Sequence, residues 1–193
     1  AAHMQNARQM KQARTALDAF GQATVAVRSA DGAKITATTG LRKISVRVIV
    51  AVFAQVLGGA LMAGTHAGYL FPTFPRMAGE LVPAGLFALD PWPRSLVDDL
   101  VTIHFVHRGC GVAIAVLALG QLAASFARPA SRPRHRAALA VAGAALATAG
   151  LGITTVLSGV STVPAAAHQL SALLLFACTI VSLHVVLQGG AET

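Results

Sequence analysis

Charge is scarce in this chain of 193 residues: 11% of them are Asp, Glu, Lys or Arg, against roughly 25% in soluble domains. That density excludes an ordinary soluble globule, whose core needs a larger polar shell. Aromatic residues make up only 5%, so the apolar mass is aliphatic and small, which suits closely packed helices in lipid. Two cysteines cannot staple a disulfide scaffold. Disorder is excluded by the opposite measure, because 55% of the residues are hydrophobic.

What is present is four long apolar stretches. A hydrocarbon core of about 30 Å takes roughly 20 helical residues, and spans are expected at about 44–65, 100–126, 137–159 and 165–188. The third and fourth carry no charge, and the second carries only Arg108. The expected fold is therefore all-α, an integral-membrane four-helix bundle over 44–188, with a polar lead-in over 1–43 and an outer loop over 66–99. Within the lead-in, residues 3–20 could form a polar helix, and Ser29 to Gly40 reads as a flexible approach to the first span. The lead-in has no apolar core of the kind a secretory signal carries, so the first span itself would direct insertion. Because the chain begins with Ala, it is read as a processed product or the back half of something longer.

Lys and Arg beside spans are retained on the cytoplasmic side. Eight lie before or at the start of the first span (Arg8, Lys11, Arg14, Arg28, Lys34, Arg42, Lys43, Arg47), and four lie between the second and third (Arg128, Arg132, Arg134, Arg136). The outer loop has Arg76 and Arg94 against Glu80, Asp90, Asp98 and Asp99. Both termini are therefore expected to be cytoplasmic, with the second and fourth spans running inward. The net charge of +8 reads as topology and contact with anionic lipid, and needs no nucleic-acid partner.

Ionisable residues inside spans are costly and usually face a bundle interior or a cofactor. His107 lies about seven residues into the second span and His168 about four into the fourth, so at 1.5 Å per residue both sit within roughly 5–12 Å of the outer boundary. Parallel spans would bring the two imidazoles to matching depth across the bundle, the arrangement a bis-histidine haem needs. A pair of hydrogen-bonded packing histidines is the competing reading. His104 could be a second ligand, a partner or a residue at the water boundary, the last being preferred. His66 and His184 read as interfacial, and His135, among arginines, as solvated. Zinc competes weakly, because the HxxH spacing is poor for a helical pair and neither carboxylate nor thiolate completes it. Arg108 must find an anion: a haem propionate near the outer surface, Asp98 or Asp99. Cys110 and Cys178 differ in depth by roughly 10 Å, which argues against a disulfide and for small packing residues.

The outer loop is rich in proline and large apolar residues. Its residues 84–99 are expected to form a short amphipathic segment at the interface, with Leu86, Phe87, Leu89 and Trp92 dipping in. Such a loop could equally serve as a lid over a site near the outer face or as a surface anchor.

The run Gly59-Ala60-Leu61-Met62-Ala63-Gly64-Thr65-His66-Ala67-Gly68, continued by Phe74-Pro75-Arg76-Met77-Ala78-Gly79-Glu80-Leu81-Val82-Pro83, resembles the stretch that opens the C-terminal half of the haem A synthase family, the cytochrome oxidase assembly proteins. His107-Arg108 and His168-Gln169 match the two C-terminal haem ligands of that family, on the corresponding helices and in the same order. The resemblance covers about residues 41–188. Phe74 stands where the family often has Trp, and the outer loop lacks a cysteine pair, as in the subtype without one. The family implies two pseudo-symmetric four-helix halves, of which this sequence shows one. Its enzymes oxidise the C8 methyl of haem O to the formyl group of haem A for terminal oxidases. For this chain the resemblance implies a haem b site in this half, haem O and haem A as substrate and product, an unidentified electron acceptor, and haem O synthase as a possible partner. It further implies either a homo-oligomer or a missing N-terminal half. The location would be the bacterial cytoplasmic membrane or the mitochondrial inner membrane, with the haem site near the outer face. A membrane b-type electron-transfer cytochrome and a non-catalytic assembly protein remain as alternatives.

Overall fold

The computed structural model describes residues 39–126 and 132–188, together with Thr15, Asp18 and Gln22. The chain divides into two units, Ala1–Thr39 and Gly40–Thr193. In the first, Thr15, Asp18 and Gln22 are helical and exposed. The rest of the expected polar helix at 3–20, the approach up to residue 38, and Arg128 lie outside the described residues. The second unit is a bundle of four long helices, α1 (Thr39–Gly64), α3 (Leu100–Phe126), α4 (Arg132–Leu157) and α5 (Thr162–Gln188), each long and apolar enough to cross a membrane. A one-turn helix, α2 (Ser95–Asp98), precedes α3. No strand occurs among the described residues, apart from an isolated bridge between Met77 and Glu80.

Three helices begin earlier than the apolar stretches suggest, and the reason is length. A helix of 26 residues runs about 39 Å at 1.5 Å per residue, longer than the hydrocarbon it must cross, so its first turns accept charge. Arg132, Arg134 and Arg136 thus form the opening turns of α4, with Pro133 in the first turn, where its missing N–H costs nothing. Asp99 caps α3, its carboxylate oxygens accepting the N–H groups of Val101 and Thr102, both at 3.2 Å. α4 ends in a Schellman turn: Gly159 (φ 66) donates to Val156 O at 3.1 Å, and Val160 donates to Thr155 O at 2.8 Å. α1 stops where His66 takes a left-handed φ of 58, a conformation His adopts more readily than most residues.

The bundle is small and partly polar inside and large and aliphatic outside. Val48 and Val52 of α1, Ile114 and Ala118 of α3, Val141 and Ala145 of α4 and Leu175 of α5 form the core. Buried positions on α5 recur at Leu175, Thr179, Ser182 and Val186, one stripe at helical spacing. The outward faces carry Val50, Phe53, Leu57, Val116, Leu146, Leu170 and Leu174, all more than half exposed. Water would disfavour so much contiguous apolar surface, whereas lipid accepts it and leaves small residues to bring the helices together. A polar node ties three helices far from the loop end: Gln121 of α3 donates to Ser45 of α1 at 3.1 Å and to Ser182 of α5 at 2.8 Å.

The outer loop is irregular where an amphipathic segment was expected. Over 84–99 a short 3-10 turn at Trp92–Arg94 and the single turn of α2 replace it, since Pro91 and Pro93 prevent a longer helix. Leu86 and Leu89 are half-buried and Phe87 and Trp92 exposed, their rings edge-to-face at 6.1 Å. Thr102 of α3 anchors the segment by accepting the Phe87 N–H at 2.9 Å.

Candidate functional site

α4 packs directly against α3 and α5, whose own backbones stand farther apart and meet through side chains such as Gln121 and Ser182. Between them lies a cavity of about 580 Å³, within the roughly 300–1,000 Å³ typical of cofactor and small-molecule sites. Its walls are mostly apolar residues of all four long helices; Tyr69, Phe74 and Val160 bound it at the loop end, and His104, His107, Arg108 and His168 line it. Among the described residues no three His, Cys, Asp or Glu side chains gather, so the donors offered to a metal here are imidazoles.

His168 is held by a gap in the neighbouring helix. Its Nδ1 lies 2.9 Å from the backbone oxygen of Thr148 on α4. A carbonyl only accepts, so Nδ1 carries the proton and Nε2 keeps its lone pair. That contact is possible because the residue one turn after Thr148 is Gly152. A Cβ at Gly152 would stand 2.9 Å from His168 Cε1 and 3.3 Å from Nδ1, inside the contact limit. Ligating histidines characteristically donate their second ring N–H to a carbonyl in this way.

His107 is accommodated by glycines of α1. Cβ atoms at Gly58 and Gly59 would lie 3.6 Å from its Nδ1 and 3.4 Å from its Cε1. Its Nδ1 is buried without a hydrogen-bond partner. Gln55 of α1 meets the other side, its amide nitrogen 3.4 Å from Nε2 and 2.9 Å from the His107 carbonyl oxygen.

Arg108 grips the outer loop rather than Asp98 or Asp99. It donates from Nη1 to Thr73 O at 2.8 Å and from Nη2 to Phe71 O at 2.7 Å, while Nε is buried without a partner. Asp98 pairs instead with Arg94 at 3.2 Å, and Asp99 is occupied as the cap of α3. His104, expected at the water boundary, is fully buried, because the loop folds over it: Phe71 lies against it with ring centroids 5.9 Å apart. The Ala67 backbone is its polar neighbour, yet neither ring nitrogen makes a well-formed hydrogen bond. His66 sits exposed at the cavity mouth, 6.2 Å from the Tyr69 ring. His135, expected to be solvated, is half-buried, its ring tilted against that of Phe126 with centroids 4.9 Å apart, the apolar end of α3 being close by. His184 is exposed, and Cys110 and Cys178 are free thiols. Sequence reasoning missed Gln55, Thr148 and Gly152. Gln55 carries a weak signal as a polar residue inside a span; Gly152 is indistinguishable from the other small residues of α4.

A family model described as cytochrome oxidase assembly protein matches residues 3–180. The chain belongs to that family. It is an integral membrane protein. Two relatives named haem A synthase show the extent of the likeness. The one from Nitrosospira multiformis is 36% identical over 152 residues, covering 77% of this chain and 43% of its own length. The one from a Methylobacterium species is 37% identical over 151 residues, covering 77% of this chain and 42% of its own length. The chain thus spans less than half the length of these relatives. No solved structure matches it significantly.

Proposed function

We propose that this bundle is the haem-binding half of a haem A synthase, with His107 and His168 as the axial ligands of a b-type haem. The observation that carries the proposal is the His168 contact with Thr148 across Gly152, which fixes a lone pair on Nε2 of a histidine sharing its cavity with His107. The residues present fit the group: glycines clear space for both rings, the walls are apolar, and buried nitrogens stand without partners. Arg108 uses two of its five N–H donors on the loop, leaving Nε and the remaining donors for a propionate. The loop it holds bounds the outer end of the cavity through Tyr69 and Phe74. When bound, the haem supplies a one-electron redox centre.

The reaction of the whole protein is then the oxidation of the C8 methyl of haem O to the formyl of haem A, which takes one oxygen from water, releases four protons and passes four electrons to an acceptor outside this chain. Because the chain spans 42–43% of these relatives, the substrate site belongs to a second four-helix half or a second copy. In the membrane both termini would face the cytoplasm, with the cavity near the outer side, as the distribution of Lys and Arg supports.

Oxidised and reduced optical spectra of the detergent-purified chain, expressed with haem O supplied and followed by extraction of the bound haem, test this. A low-spin six-coordinate spectrum is expected, lost in His107→Ala and in His168→Ala. Either variant keeping wild-type spectrum and haem content would sink the assignment. Haem A in the extract means that this chain turns over alone, whereas haem b only is the result of an electron-transfer cytochrome or of a half whose turnover needs its partner.

A further inference from the structure

Gln55 reaches from α1 to α3, where its amide nitrogen lies 2.9 Å from the backbone oxygen of His107 and 3.4 Å from the Nε2 of the same residue. A side-chain amide can be turned end for end without changing shape, so its hydrogen-bond network must decide its orientation. Here the decision is forced, since a backbone carbonyl only accepts and the atom facing it must be the NH2. The second N–H of that group is then left for Nε2, which becomes the ring nitrogen with the lone pair.

His168 reaches the same state by a different route, its Nδ1–H donating to the backbone oxygen of Thr148. The two contacts share one device. In an α-helix the carbonyl of residue i accepts from the N–H of residue i+4, and in both cases the residue at i+4 is glycine: Gly111 above the His107 carbonyl, Gly152 above that of Thr148. A side chain there would shield the carbonyl. A Cβ at Gly111 would stand 3.3 Å from the Gln55 amide nitrogen, tight enough to displace it. Gln55 also lines the cavity, so its amide stands on the approach to Nε2.

We infer that Gln55 is a positioning residue of the haem site: its amide holds the His107 ring with Nε2 as the lone-pair nitrogen and covers that nitrogen until a metal takes it. On binding, the amide gives up Nε2 and keeps the carbonyl, so the helix stays in register while the ligand is released. The inference rests on the haem reading above.

The test uses Gln55→Leu and Gly111→Ala in the full chain, purified in detergent with bound haem. Both ligands persist in Gln55→Leu, so haem remains. The amide must leave Nε2 before a metal can take it, so Gln55→Leu removes a competitor worth one hydrogen bond, and haem dissociation is expected to slow by about 2–10-fold. The low-spin electron paramagnetic resonance signal should shift as α3 loses its tie to α1 at the His107 carbonyl. Gly111→Ala removes no hydrogen-bonding group, yet should shift the same signal in the same direction by less. If Gln55→Leu does not fold, Gly111→Ala carries the test alone. Wild-type dissociation rate and resonance signal in the folded variants overturn the inference and leave the haem reading standing. A wild-type chain that takes up no low-spin haem overturns both.

Discussion

Replacing Gly152 by Ala separates two views of the small residues in α4. If Gly152 merely fills a helix, a methyl group there should help, because glycine costs about 0.5–1 kcal/mol relative to alanine in a helix interior. The structure gives the opposite sign. The added Cβ would lie 2.9 Å from His168 Cε1, 3.3 Å from Nδ1 and 3.5 Å from Nε2. The ring cannot simply swing aside, since its Nδ1 is fixed 2.9 Å from Thr148 O. Relief therefore breaks that bond, worth about 0.5–1.5 kcal/mol net, or strains the packing by about 1–3 kcal/mol. Both outcomes displace the Nε2 offered to the metal. Haem affinity should fall by about 10–100-fold, or about 1.4–2.8 kcal/mol at 1.4 kcal/mol per decade. Haem titration of the detergent-solubilised chain, followed optically, measures this. Gly143→Ala and Gly150→Ala are the controls, since a Cβ at either position meets nothing within 4 Å, and both should bind haem as the wild type does. Gly152→Ala binding haem as tightly as the two controls would refute the cradle.

Three further outcomes follow from contacts elsewhere in the bundle. Ser182→Ala removes the acceptor of the 2.8 Å bond from Gln121 and should lower stability in a detergent unfolding titration by about 0.6–1.7 kcal/mol without altering the haem spectrum; unchanged stability would show that the node contributes nothing. His104→Phe replaces a fully buried ring with no well-formed hydrogen bond by an apolar one, so the thermal midpoint should hold or rise and the low-spin spectrum persist. Disappearance of that spectrum would make His104 a ligand instead. Arg108→Ala frees the carbonyls of Phe71 and Thr73, and limited proteolysis should cut the 65–99 loop faster. Cleavage at the wild-type rate would mean that the loop is held by other contacts.

How far the fold could be read from residues depends on which forces set it. The spans were legible because hydrophobic length is a one-dimensional property. Their ends were less so, since a helix outruns the hydrocarbon: Arg132 to Arg136 look like a loop by charge yet form the first turns of α4. His107 and His168 stood out because ionisable groups inside spans are rare, and the structure brings both to one cavity. The burial of His104 was not legible, being decided by a loop whose path depends on Arg108 reaching the carbonyls of residues 71 and 73. Gly152 and Gln55 were hidden for a related reason. What matters at each is the side chain that arrives from another helix, and no spacing within α4 or α1 encodes that arrival.

The same kind of residue performs opposite tasks at the two ends of the bundle. Away from the loop, Ser45, Ala118, Ala142, Ala145 and Ser182 are small so that the helices can close on one another, and Gln121 locks three of them together. Toward the loop, Gly58, Gly59, Gly111 and Gly152 are small so that a side chain from a neighbouring helix can enter: the rings of His107 and His168 and the amide of Gln55. In lipid, apolar side chains gain little by leaving the solvent for each other, so helices closing tightly at one end supply the rigidity that holds a cavity open at the other. The two ends should therefore respond differently to the same substitution. A methyl group added at Gly152 changes what the cavity binds, whereas one removed at Ala118 changes how firmly the bundle holds together.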